Sequence, residues 1–265
     1  MAIRDRFDLV ILDWAGTMVD FGCQAPVIAL RAAFALRGVA ISEPAARRDM
    51  GKAKEDHVRA LLRDPSVAEA WSKARGGAAD DGDVRELMSD LGPLMRDQAA
   101  RSAQLIEGAR SAVEALRAAG IKVASSTGYT REMMLPVLQE AAAQGYMPDH
   151  LVCSGETPQG RPTPLMIYKA CAELGVWPLS RAVKVDDTEA GVKEGCAAGC
   201  FTVGISASGN EVGLSREALL ALPAEDRSAR IAVAESSLRA AGADVVIETV
   251  AQLVAALQSA AERRV

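Results

Sequence analysis

The chain of 265 residues is 49% hydrophobic and 25% charged, with 22 Gly and 11 Pro, which excludes disorder and collagen-like repeats and leaves ample apolar material for a core. Its 30 Lys and Arg against 35 Asp and Glu give a net charge of −5, so no broad cationic surface awaits nucleic acid or anionic lipid, and any phosphate site has to be local. The first eight residues carry Arg4, Asp5, Arg6 and Asp8 where a signal peptide needs an apolar core, and no later window reaches membrane-spanning length. No membrane partner is therefore expected, and a cytoplasmic location is. Five cysteines, an odd set without a C-x-x-C pair, argue against a disulfide framework or a zinc site; Cys196 and Cys200 are expected as small buried apolar groups.

Asp8 to Asp13 is a short apolar run that ends in a carboxylate and feeds the turn Trp14-Ala15-Gly16-Thr17, the pattern of a fully buried strand. From Ala25 to about Gln104 apolar residues recur at helical spacing, and one breaker-rich stretch, Ala74 to Gly82, reads as a solvated turn. After Gly108 the rhythm changes. Helix Ala109 to Ala119 leads to strand Ile121 to Thr127, then helix Arg131 to Gln144, strand His150 to Ser154, helix Pro164 to Leu174 and strand Ala182 to Asp187. Helix Thr188 to Ala198, strand Cys200 to Ser206, an amphipathic helix Ala224 to Ala241 covering the sheet, strand Ala243 to Glu248 and helix Val250 to Arg263 complete the series. Alternating strands and helices imply right-handed crossovers and a doubly wound parallel sheet, an α/β core. The helical block interrupts that core as an insert: residues 1–22 and 105–265 are expected to form the core domain and 23–104 an all-helical cap.

In such sheets ligands bind beyond the carboxyl ends of the strands. Three ends carry chemistry: Asp13 with Thr17, Thr127 with Gly128, and Asp186 with Asp187. Gathered at one rim, they offer oxygen ligands for a divalent cation and a phosphoryl group, a set that suits Mg²⁺.

Asp13-Trp14-Ala15-Gly16-Thr17, Ser126-Thr127-Gly128 and the later Asp187 resemble the motifs of the haloacid dehalogenase superfamily. The resemblance implies a Rossmannoid core in which Asp13 attacks phosphorus to form an aspartyl phosphate, the second motif binds phosphate, and Asp187 holds Mg²⁺. Usual members carry a further Asp two residues after the nucleophile, which protonates an oxygen leaving group; here that position is Ala15. Losing a general acid costs an ester hydrolase about 10²–10⁴ in rate, so either the chain is impaired or its leaving group is not an oxygen.

The helical block holds a candidate answer in Met50 to Leu61, where Lys54 and His57 stand three apart on one helical face. A desolvated lysine, assisted by a neighbouring base, forms an imine with an aldehyde. Such an imine accepts the electrons of a breaking phosphorus–carbon bond as an enamine, and no acid at position 15 is then required. Lys52 stands as an equally charged neighbour, so the amine is not unique by position. With Thr127 to Met134, Gly160-Arg161-Pro162 and Lys184 to Thr188, the chain is similar to the phosphonoacetaldehyde hydrolase (phosphonatase) family nearly end to end.

That resemblance implies cleavage of phosphonoacetaldehyde to acetaldehyde and phosphate, with Asp13 as nucleophile, Lys54 as imine-forming amine and His57 beside it. It assigns Mg²⁺ to Asp13, the Ala15 carbonyl and Asp187, the phosphonate to Thr127, Gly128 and Arg161, and the pocket to Cys23, Met50, Gly51, His57 and Tyr129. It also implies a homodimer formed through the caps. Some members carry another Asp four residues after the metal-binding Asp; here Gly191 stands there, leaving Asp186, Glu189 or water to complete the shell. Two other readings stay open: a phosphate-ester phosphatase of the superfamily with another acid, and a non-catalytic binding protein of this fold.

Overall fold

The computed structural model describes residues 2–263, so the outermost positions of the expected core segments, 1, 264 and 265, lie outside the described residues. A four-residue helix α1 (Ile3–Arg6) precedes strand β1 (Leu9–Leu12), whose Leu-Val-Ile-Leu run is buried throughout, as a central parallel strand covered on both faces requires. Five helices follow: α2 (Gln24–Leu36), α3 (Glu43–Arg48), α4 (Lys54–Arg63), α5 (Pro65–Arg75) and α6 (Asp81–Arg101).

Local chemistry sets their ends. Asp64 accepts from the backbone N–H groups of Ser66 and Val67 ahead of Pro65, and Asp80 caps α6 through Gly82 and Asp83. Gly76, at φ +84°, closes α5, so the breaker-rich stretch becomes the link between α5 and α6. Helix α2 packs on α6, and α4 on both α5 and α6, around Phe34, Trp71, Leu87 and Leu91; the Phe34 and Trp71 rings meet edge to face at 6.0 Å.

The remaining elements alternate: α7 (Ala109–Ala118), β2 (Lys122–Thr127), α8 (Arg131–Ala143), β3 (His150–Cys153), α9 (Leu165–Glu173), β4 (Ala182–Asp186), α10 (Glu189–Ala198), β5 (Phe201–Ile205), α11 (Arg216–Ala221), α12 (Ala224–Ala240), β6 (Val245–Ile247) and α13 (Leu253–Glu262). Six parallel strands pair in the order β3-β2-β1-β4-β5-β6, with Leu12 beside both Ser125 and Val185. Successive side chains of β1 serve opposite faces. Val10 and Leu12 join the cluster of α7 and α13, whereas Leu9 and Ile11 join Met166 and Ile167 of α9. The sheet is doubly wound, as the alternation predicts, and strand order reverses about β1 and β4, which places the crevice above their carboxyl ends.

Three expectations need correction. Helix α12 is not an amphipathic cover: among its residues only Ala234 and Leu238 are buried, and Val233 is 71% exposed, because the helix touches the sheet edge along a narrow line near β5 and β6. Cys196 is exposed at the surface of α10 while Cys200 is buried. The C-terminal helix begins as a 3₁₀ turn at Val250–Gln252 before α13. The short helices α1 and α11 fall where no helix is expected, since neither is long enough to show a period. Among the described residues no helix is long and apolar enough to cross a membrane.

Candidate active site

Asp13 leaves β1 with its N–H still donating to Val185 O at 3.0 Å, so its side chain is fixed by the ladder itself. The chain then turns tightly, Trp14 O accepting from the N–H groups of Thr17, Met18 and Val19. Gly16 sits at φ +80°, and a Cβ there would lie 2.2 Å from Asp187 Oδ2; only glycine lets this turn press against the second carboxylate. Asp187 is held from two sides, by Thr17 Oγ1 donating to Oδ1 at 3.2 Å and Asn210 N–H donating to Oδ2 at 2.8 Å.

Carboxylate oxygens of Asp13, Asp186 and Asp187 lie within 4.8 Å of one another, all buried. Burial, then the Asp186 charge, pushes Asp13 up to about 6 despite Arg161 and Lys184. Burial with Asp13 and Asp186 raises Asp187 well above the carboxylate range. Burial also opposes charge on Asp186, but Arg161 and Lys184 outweigh it and hold this group below its usual value.

Arg161 is 4% exposed, although a turn flanked by Gly160 and Pro162 gives no sign of burial. Its Nη2 donates to Asp13 Oδ1 at 2.8 Å and Ser126 O at 2.7 Å, its Nε to Glu194 Oε2 at 3.0 Å, and its Nη1 lies 3.3 Å from Asp186 Oδ2. Lys184 Nζ donates to Ser126 Oγ at 2.8 Å and lies 3.0 Å from Asp186 Oδ2 and 3.4 Å from Glu194 Oε2. Three carboxylates, Asp13, Asp186 and Glu194, thus share two cations while Asp187 has neither, and this acidic excess in a dry site is what a bound dication would neutralise. The oxygen-only donor set fits Mg²⁺ in kind.

Gly191 is explained by the same cluster. A Cβ on this residue of α10 would lie 1.9 Å from Asp186 Cγ, so the Asp186 carboxylate occupies the space a side chain at 191 would need. Gly191→Asp is expected to lower stability by roughly 3 kcal/mol through overpacking and an unpaired buried charge. Adding Asp186→Gly should recover most of it. Urea unfolding midpoints check this, and a single variant as stable as the parent would refute the steric reading.

The turn before α4 brings the helical segment onto the strand ends. Gly51, at φ +88°, leaves no room for a Cβ against Thr188 Oγ1 at 2.3 Å, and a Cβ on Gly128 would lie 2.7 Å from Lys52 O. Backbone meets backbone here because both residues are glycine. Lys54, first residue of α4, is 2% exposed, with Nζ 5.3 Å from the Tyr129 ring centroid. Burial brings its amine down to about 8, Cys23 and Asp13 acting in the other direction. Lys52, its rival in the sequence, is partly exposed and ion-paired to Asp49. His57 is buried one turn along α4, and burial together with Lys54 lowers it to about 3, so the imidazole is neutral.

A small cavity opens between these parts, lined by Asp13, Ala15, Cys23, Met50, Gly51, Lys54, Thr127, Gly128, Tyr129 and Arg161. His57 and Asp187 are not among the lining residues: His57 is buried one turn along α4 from Lys54, and an Asp187 carboxylate oxygen lies within 4.8 Å of one of Asp13. Thr188 also lines the cavity and was not singled out; it caps α10 by accepting from Gly191 N–H. Lys184 and Glu194 were also passed over. A lysine between Val183 and Val185 in a buried strand is a legible signal for an internal ion pair, whereas Glu194 sits on a helix where glutamate is ordinary.

The sequence model of the haloacid dehalogenase-like hydrolases matches residues 7–199. A phosphonoacetaldehyde hydrolase of Syntrophobacter fumaroxidans is 48% identical over 239 residues, covering 90% of this chain and 86% of that protein. One of Paraburkholderia xenovorans is 44% identical over 245 residues, 92% of each. The crystal structure of a phosphonoacetaldehyde hydrolase-like protein from Oleispira antarctica superposes with a TM-score of 0.95 at 38% identity, covering 99% of this chain and 95% of that one. With its parallel sheet, its Asp13 at the end of β1 and these relatives over nearly its whole length, the chain belongs to the haloacid dehalogenase-like hydrolases and, within them, to the phosphonoacetaldehyde hydrolase family.

Proposed function

We propose that this protein hydrolyses the phosphorus–carbon bond of phosphonoacetaldehyde, releasing acetaldehyde and phosphate, with Asp13 as nucleophile and Lys54 as the imine-forming amine. One observation carries the reading: a desolvated lysine and a strand-end carboxylate open on the same small cavity, and the position that would hold an acid for an oxygen leaving group is Ala15. The reading of the relatives' name onto this chain is supported by those same residues.

The steps follow from the residues. The Lys54 ammonium gives its proton to water, and the neutral amine adds to the aldehyde carbon and, on taking up one proton and losing water, gives a protonated imine; His57, neutral one turn along α4, adds no second positive charge beside it. Arg161 and the backbone around Thr127 and Gly128 meet the phosphonate oxygens. Asp13 attacks phosphorus while the P–C electron pair moves into the C=N⁺ group, giving an enamine and an aspartyl phosphate. Protonation at carbon and addition of water free acetaldehyde and Lys54, and a second water cleaves the acyl phosphate to restore Asp13. Asp13, Asp187 and the Ala15 carbonyl would hold Mg²⁺, with Asp186 in the same acidic cluster; when bound, the cation neutralises that cluster and keeps Asp13 an anion beside phosphorus.

Residues 23–104 act in this reading as a cap that carries Lys54 to the core and excludes water while both covalent bonds exist. Exposed Ile28 and Leu36 on α2 suit a homodimer through that cap.

Protein incubated with Mg²⁺ and phosphonoacetaldehyde should release acetaldehyde, followed with a coupled dehydrogenase, and phosphate in equal amounts. Because only the neutral amine attacks, kcat/KM should rise about tenfold per pH unit below about 8 and level off above it. Turnover of phosphate monoesters with none of phosphonoacetaldehyde would replace this function by that of an ester phosphatase.

A further inference from the structure

A polar junction between the helical segment and the loop after β5 takes no part in the chemistry above. Arg47, in the last turn of α3, keeps only 12% of its side chain exposed. Its Nη1 donates to Gly22 O at 2.9 Å, Cys23 O at 3.4 Å and Asn210 Oδ1 at 3.3 Å, while Nη2 donates to Gly213 O at 2.8 Å. Asn210 is 4% exposed and answers in kind: its Nδ2 donates to Arg47 O at 3.2 Å, and its backbone N–H is the donor that holds Asp187 Oδ2 at 2.8 Å.

There is no slack around these contacts. Gly213 lies at φ +67°, and a Cβ there would lie 2.8 Å from Arg47 Nε; Gly22 lies at φ +84°, and its Cβ would lie 2.1 Å from Leu214 O. The link from β1 into α2 also carries two non-glycine residues in the left-handed region, Asp20 at φ 55° and Cys23 at φ 52°, and Arg47 fastens the carbonyls of Gly22 and Cys23 within it. Arg47 precedes Met50 by three residues and Lys54 by seven, along a turn that Gly51 presses against Thr188.

We propose that Arg47 and Asn210 are positioning residues: together they latch the helices that carry Lys54 onto the loop that orients Asp187, so that amine and carboxylate cluster are set at one separation. The latch needs a planar fork. One guanidinium reaches acceptors on the linker and on the loop together, which an ammonium on a single stem does not. This rests on Lys54 and Asp13 being the reacting pair, and its test separates the two ideas.

Arg47→Met, Asn210→Ala and the double variant are compared with the parent in three ways: steady-state kinetics with phosphonoacetaldehyde, the rate of borohydride trapping at Lys54, and deuterium exchange over residues 20–24 and 209–214. Each single variant should lose roughly 100-fold in kcat with a far smaller change in KM, since a displacement near 1 Å at reacting groups has that effect. Trapping should slow in step, exchange should quicken in both segments for Arg47→Met, and melting temperature should stay close to the parent's. If the two residues form one device, the double variant falls no further than the weaker single. Losses that multiply, losses that follow the unfolded fraction, or exchange unchanged in Arg47→Met would each overturn the latch. If the parent itself fails to turn over phosphonoacetaldehyde, the proposed function fails, and the exchange arm still decides the latch: quickened exchange in both segments upholds it.

Discussion

Asp13→Asn is expected to lower turnover of phosphonoacetaldehyde by at least about 10⁴-fold while leaving the fold intact. Asparagine keeps an oxygen for the Arg161 Nη2 bond that Asp13 Oδ1 accepts at 2.8 Å, and Arg161 retains Glu194 and Asp186 as partners. It also removes a buried charge and one of three carboxylates crowded within 4.8 Å; burial first and their repulsion second lift both Asp13 and Asp187, so the melting temperature should hold or rise. What is lost, on the proposed mechanism, is the oxygen nucleophile that takes phosphorus. Rapid acid quench with phosphorus-labelled substrate should leave label on the peptide containing Asp13, released by hydroxylamine as an acyl phosphate is. Label on any other residue, or an asparagine variant within tenfold of the parent, would remove Asp13 from the mechanism.

An effect of similar size on turnover is expected at Lys54, again without loss of stability. Lys54→Arg retains charge and length but forms no imine at neutral pH, and Lys54→Met retains only the stem; both should lose at least about 10⁴-fold. Borohydride added with substrate should inactivate the parent and place a reduced adduct on Lys54. An adduct on Lys52 would mean that the ion-paired, partly exposed amine is the reactive one after all.

The fall of Lys54 from 10.5 to about 8 is a stability penalty of roughly 3 kcal/mol carried in the folded protein. Below about pH 8 both folded and unfolded chains are protonated there, and the folded one bears the whole penalty. Between about 8 and 10.5 the unfolded chain still binds the proton that the folded chain has released, so stability gains with pH. Lys54→Met should therefore be more stable than the parent at pH 7, by up to about 3 kcal/mol, with the margin shrinking as pH rises through that window. Urea midpoints at two pH values measure it, and a margin independent of pH would deny that desolvated charge is its source.

How far the site was legible depends on how local its signals are. Asp13 could be named because an apolar run ending in Asp-Trp-Ala-Gly-Thr is a strand feeding a turn within one short stretch, and such strands end at the ligand crevice. Lys54 could be nominated by its spacing from His57 but not told from Lys52, since both lie in the same polar segment and the groups that face the buried amine, Tyr129, Cys23 and Asp13, come from elsewhere in the chain. Nothing local to Arg161, in its Gly-Pro turn, or to Asp186 marks either side chain as buried. Each is buried by the other: the guanidinium that makes Asp186 tolerable is 25 residues away in the chain, and Asp13, which it also pairs, is 148 away. Asn210 and Arg47 gave no signal at all, because a loop asparagine and a helix arginine are ordinary in isolation.

Read alone, the order of residues determined the layered α/β architecture, the strand ends where chemistry gathers, the helical interruption after the first strand, and the kinship carried by short motifs. These are properties of periodicity and turn chemistry within some ten or twenty residues, and they survive without knowledge of neighbours. Tertiary structure alone decided which lysine is desolvated, that Asp186 fills the room left by Gly191, that α12 lies along an edge rather than across a face, and that three carboxylates share two cations. Desolvation and pairing are sums over atoms brought together from distant parts of the chain, so no local pattern encodes them.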